Sequence, residues 1–107
     1  METGNDNSPD EIIVHLDPLI QKIVPDFLRH RRENAHSIWD ALENSDFESV
    51  ANIAHDIVGT AGAFGFSEMA QLGHLLQEAA LESSHGKMRT LASELTDYLD
   101  RLRIVYD

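Results

Sequence analysis

Residues 55 to 66 read HDIVGTAGAFGF, a histidine followed by glycines at 59, 62 and 65. Imidazole is the side chain best suited to nucleophilic, proton-transfer or ligand chemistry near neutral pH. Glycine inside a helix costs about 1 kcal/mol relative to alanine, so two of them just beyond a histidine need a reason. Helical residues step by about 100°. The apolar face of this segment centres between Ala54 and Ala61, and His55 lies roughly 100° away, at the boundary with solvent. Glu48, Asn52, Gly59 and Gly62 share its stripe. Gly59 and Gly62 thus remove side chains beside the imidazole and leave a shallow dent. A partner could bring its backbone or a reactive side chain through that dent to a ring nitrogen. The competing use of such glycines is close helix-helix packing, but their stripe is not the most apolar one.

The elements that hold this stripe follow from periodicity. Residues 1–11 read as a flexible N-terminal segment and 12–107 as one helical bundle. IIVHL, 12–16, is a short apolar stretch with an extended look. Asp17 can cap, and Pro18 can open, a short helix; Pro25 can begin another. From Asp26, Leu28, Ala35, Ile38, Trp39 and Leu42 share a face, with Phe27 at its edge, and Asn44 and Ser45 end that helix. Asp46 is a plausible N-cap for the next, where Phe47, Val50, Ala51, Ala54, Ile57, Val58 and Ala61 recur at helical spacing. Gly65 and Phe66 make the following turn. Ser67 is the N-cap candidate for a stripe of Met69, Leu72, Leu76, Ala79 and Ala80. SSHG, 83–86, reads as a loop, and the last helix carries Met88, Leu91, Ala92, Leu95, Tyr98, Leu99 and Leu102. No strand alternation of useful length and no internal repeat is visible. The pattern predicts an all-α, antiparallel up-and-down four-helix bundle with a short additional N-terminal helix.

Composition narrows the function. The 107 residues are 42% hydrophobic and 25% charged, enough for one core. The net charge of -11, from 8 basic and 19 acidic side chains, argues against nucleic acid and anionic membranes as partners. There is no cysteine, so disulfides and thiolate metal sites are excluded. No apolar run reaches membrane-span length, and METGNDNSPDE is no signal peptide. A cytoplasmic location is expected. Two Glu-x-x-His strings, Glu33 to His36 and Glu82 to His85, resemble di-iron ligand spacing. Glu33 falls opposite its apolar face and His85 in a loop signal, so no metal is expected. RHRR, 29–32, reads better as a solvated helix face than as an electrostatic contact for an acidic partner. No Walker-type nucleotide loop occurs.

AHDIVGTAGAFGF resembles the histidine phosphotransfer (HPt) family of two-component phosphorelays. The family motif is His, two residues, Lys, then Gly, five residues, and Gly; His55, Gly59 and Gly65 match it. The resemblance covers residues 17 to 107, and SDFESVANIAHDI looks like the usual entry into the phosphorylated helix. It implies that His55 accepts a phosphoryl group through Nε2 from an aspartyl phosphate on a receiver domain and hands it to another receiver. It implies response-regulator receivers and a sensor histidine kinase as partners. A monomer is the default expectation, and without a Walker-type loop or room for an ATP-binding kinase domain the chain is expected to carry phosphate without charging itself from ATP. The resemblance also implies no cofactor of its own, with Mg²⁺ on the receiver. The family's imidazole-bonding Gln, 22 positions after the histidine, corresponds to Gln77. Asn52, Gly59 and Gly62 complete the expected binding surface. One departure stands out: Val58 occupies the position of the motif Lys, which helps hold the phosphoryl oxygens. Losing that cation could cost about 1–3 kcal/mol. A docking module that binds a receiver or kinase without phosphotransfer is the alternative.

Overall fold

The computed structural model describes residues 10–107. The expected flexible segment, 1–11, therefore lies outside the described residues except for Asp10 and Glu11. Four helices carry the chain: α1 (Val24–Glu43), α2 (Phe47–Phe64), α3 (Ser67–Leu81) and α4 (His85–Arg101). Each packs against the next, and α4 returns against α1. The stripes meet in one core, with Ile38, Val50, Ala54, Ile57, Ala61, Met69, Leu76 and Met88 wholly inaccessible. Phe27 is part of that core rather than at its edge. It stacks on Phe64 at 4.6 Å and on Phe66 at 5.1 Å between ring centres.

Local signals set most boundaries. Asp46 caps α2 by accepting from the Ser49 amide at 3.2 Å. Gly65 ends it in the left-handed region at φ 91°, a conformation that glycine adopts without steric penalty. Asp17 accepts from the Leu19 amide and Pro18 opens a helical turn, but that turn is a single 3-10 turn over Pro18–Ile20 rather than a short helix. Ser67 is the first residue of α3, not its cap; Phe66 holds the cap position and makes no side-chain cap bond. His85 and Gly86 belong to α4, so the connection is Glu82–Ser84 rather than the expected 83–86.

The larger correction is a pair of strands. β1 (Ile12–Leu16) lies parallel to β2 (Leu102–Tyr106), with Ile12 beside Leu102 and Leu16 beside Tyr106. Leu102 therefore leaves the last helix and turns extended. Its apolar spacing continues the phase of Leu95 and Leu99, which hid the change. Pairing also needs a partner about ninety residues away, and no local pattern reports that. The ribbon lays Leu16, Val14, Ile104 and Tyr106 on the core.

Candidate functional site

His55 is exposed on α2, and its Nδ1 lies 3.3 Å from Nε2 of Gln77 on α3. Gly73 explains this nearness. It is buried, and a Cβ added to it would stand 3.1 Å from Cγ2 of Ile57, 3.1 Å from Cγ2 of Val58 and 3.2 Å from the Ala54 carbonyl oxygen. The bare backbone of α3 therefore rests directly on α2. Gln77, four residues beyond Gly73 and on the same face, is carried to the imidazole. His74 and Glu78 flank Gln77 on the exposed side of α3, with His74 Nε2 at 3.4 Å from Glu78 Oε2.

Gly59 and Gly62 behave differently. Both are exposed, and a Cβ on either would meet no atom within 4 Å. They are not packing glycines; their missing side chains lower the protein's own surface beside His55. Asn52 is exposed one turn before the histidine. Val58 is half-buried and fills the seam beneath Gly73. The residue at the motif Lys position thus serves packing between α2 and α3. The patch around His55 gains no cation from it.

The other side of α2 holds a second polar cluster. Arg31 on α1 is only 7% exposed. Its Nη1 donates to the Thr60 hydroxyl, which in turn donates to the Asp56 carbonyl at 2.9 Å. The guanidinium lies 5.1 Å from the centre of the Phe27 ring. Burial lowers its pKa, and the charge of Asp56 opposes that shift. RHRR is therefore not one solvated face. Arg29 is exposed, 2.6 Å from Asp26 and 3.6 Å from Glu33, His30 sits 3.4 Å from Glu33, and Arg31 turns inward. Among the described residues, no group of three or more His, Cys, Asp or Glu side chains could hold a metal ion.

The family model described as the Hpt domain matches residues 22–104, from the turn before α1 into β2. The chain belongs to the Hpt domain family. Hpt domains are phosphotransfer modules of two-component signalling, phosphocarriers rather than kinases, and they interact with receiver domains and histidine kinases. Comparison with curated proteins gives no match, and neither does comparison with solved structures. No helix described in this Hpt domain is long and apolar enough to cross a membrane.

His55 stood out by helical phase and Gln77 only through the family resemblance, whereas Gly73 and the Arg31–Thr60 pair were not singled out in the sequence. Gly73 had a usable signal, because it falls between Met69 and Leu76 on the apolar face. Arg31 had one too, lying one turn after Phe27 and Leu28 and one turn before Ala35.

Proposed function

We propose that this Hpt domain relays a phosphoryl group between receiver aspartates through a phosphohistidine at His55. The observation that carries this reading is the exposed imidazole bonded at Nδ1 by Gln77, with open space over Gly59 and Gly62. Transfer requires a free lone pair on Nε2, so the ring proton must sit on Nδ1. An amide nitrogen donating to Nδ1 favours the opposite tautomer. Turning the Gln77 amide by half a turn, which hardly alters its shape, brings Oε1 to Nδ1 and lets it accept the Nδ1 proton. The ring is then held with Nε2 unprotonated and facing the partner. Nε2 attacks phosphorus, the bond from phosphorus to the aspartate oxygen breaks, and the electron pair returns to the carboxylate. The return reaction reverses each step. Alignment and charge stabilisation govern such transfers, so a site this spare is sufficient when the receiver supplies its own Mg²⁺.

With Val58 in the motif Lys position, charge on the phosphoryl oxygens is met chiefly by the receiver. The Gly59–Gly62 dent lets receiver groups approach closely. An antiparallel up-and-down order of the helices fits this use: Phe27 at the head of α1 stacks on Phe64 at the tail of α2, and turns of two or three residues join the helices. The working form on this reading is a cytoplasmic monomer without a cofactor of its own, spanning residues 12–107. A docking module without phosphotransfer is the second reading, and the Val58 packing favours it. Incubation with labelled phospho-receivers separates the two. Acid-labile, alkali-stable label on the wild type but not on His55→Gln supports the relay. A receiver that binds but transfers no label supports docking alone.

A further inference from the structure

A second feature of the molecule has the makings of a site, and it lies away from His55. An open cleft of about 480 Å³ sits at the head of α1. Its lining includes Lys22, Asp26, His30 and Arg31 together with Ile23, Phe27, Thr60 and Phe64. Thr60 stands roughly 140° around α2 from His55, so the two regions face different directions.

Arg31 is the reason to expect a ligand. A guanidinium remains charged in proteins, and buried charges are ordinarily paired. Among the described residues no carboxylate lies within salt-bridge distance of it. Nη1 is engaged by Thr60, while Nε is buried without any partner. Asn34, one turn further along α1, has a buried Oδ1 that is likewise without a partner. Tyr98 offers a contrast. Its hydroxyl is also buried and unpartnered, but burial pushes its pKa up to about 12, and the phenol simply stays neutral. Arg31 has no such escape.

The surroundings favour an anion in other ways. The N-terminus of α1 has no side-chain cap, which leaves amide protons and the positive end of the helix dipole beside the cleft. Lys22 adds a basic group in a chain of net charge -11, and His30 another, 3.4 Å from Glu33. Of the opposing charges, Asp26 is paired with Arg29 at 2.6 Å and Asp56 acts on Arg31 from beyond salt-bridge distance. The floor is apolar: the stacked rings of Phe27 and Phe64, with half-exposed Ile23 beside them. Nη1 is occupied and Nε has no accessible surface, so Arg31 must turn outward before its Nε–Nη2 edge can take the two oxygens of a carboxylate.

We propose that the cleft at the head of α1 binds an organic carboxylate, with the acid on Arg31 and its apolar body against Phe64 and Ile23. The acid is either a small molecule or an acidic side chain of a partner protein, and the recognition chemistry is the same. The site is independent of the phosphoryl relay.

Nitrogen-15 NMR of the full chain tests it. Sodium phenylacetate and acetyl-Leu-Glu-Leu amide are titrated separately, against sodium chloride at equal ionic strength. The expected result is a saturable shift of the Arg31 Nε–H and of the Val24 and Asp26 amides. Binding weakens at least tenfold in Lys22→Gln, whose change is on the surface, and disappears in Arg31→Met. His55→Gln binds like wild type, so failure of the relay would not mimic failure here. Saturation by phenylacetate alone assigns the site to a small acid, and saturation by the peptide alone assigns it to a protein side chain; either supports the proposal. Shifts equal to those from chloride, shifts that map elsewhere, or shifts undiminished in Lys22→Gln would overturn it.

Discussion

Against α3, helix α2 presents Ala54, Ile57 and Val58 to a bare stretch of backbone at Gly73. Against α1, it presents Thr60 and Phe64 to a buried guanidinium and a stack of phenyl rings. The first seam is close, apolar and free of charge. It brings one neutral amide, Gln77, to one imidazole at the surface. The second encloses a cation with incomplete partners. Both seams use the same helix, within about three turns of each other, and their residues differ in what they ask of the protein. A reactive group that must meet a partner's charge stays exposed and is positioned by packing beneath it. A charge taken into the interior needs something to answer it, from the chain or from outside.

The largest expected effect breaks the first seam. Gly73→Leu puts a side chain where even a Cβ lies 3.1 Å from two methyl groups and 3.2 Å from a backbone oxygen. Overpacking of this kind destabilises by about 1–3 kcal/mol, and α3 must shift away from α2. Urea unfolding should show the loss, and the nitrogen-15 spectrum should show His55 freed from Gln77. Unchanged stability would mean that the helices do not approach as described. Next comes the second seam. Thr60→Val keeps the shape but removes the acceptor for Arg31 Nη1, leaving a buried charged donor unpaired, for a loss of about 1–3 kcal/mol. A variant as stable as wild type would indicate that the guanidinium is solvated.

Gly59→Ala and Gly62→Ala sharpen the contrast by changing sign. Neither Cβ meets anything, so each should stabilise the fold by about 0.5–1 kcal/mol in thermal or urea melts. On the relay reading they should also slow transfer from a receiver, because the dent is partly filled. A loss of stability in either variant would return these glycines to a packing role. The smallest effect on stability belongs to Gln77. Gln77→Ala should change unfolding by less than about 0.5 kcal/mol, as for most surface substitutions, yet lower the transfer rate and mix the His55 tautomers seen by nitrogen-15 NMR. Gln77→Glu, able only to accept, should keep the Nδ1 proton in place and retain transfer. Equal rates in all three proteins would remove Gln77 from the mechanism.

These two seams also mark what the sequence disclosed. Helical period alone located Val50, Ala54, Ile57 and Ala61 in the core and His55 at its boundary, because those positions depend only on residues within two turns. The caps at Asp46 and Gly65 were equally local. The roles of Gly73 and Arg31 were not, since each depends on residues of another helix. Their places on the apolar faces of α3 and α1 mark Gly73 and Arg31 as inward-facing, but which groups they meet, Ile57 and Val58 or Thr60, is set only when the helices dock. β2 was hidden for the same reason: Leu102 keeps helical phase, and its partner Ile12 lies at the other end of the chain. Val58 was legible as a departure from the family motif, but its packing against Gly73 emerged only with the fold.

The central claim is that His55 carries the phosphoryl group despite Val58. Phosphotransfer from labelled phospho-receivers to wild type, His55→Gln and Val58→Lys tests it most directly. The account predicts acid-labile label on wild type, none on His55→Gln, and longer-lived label on Val58→Lys, where a cation joins the phosphoryl oxygens. Absence of label from wild type with every receiver that binds it, or label that survives His55→Gln, would contradict the account.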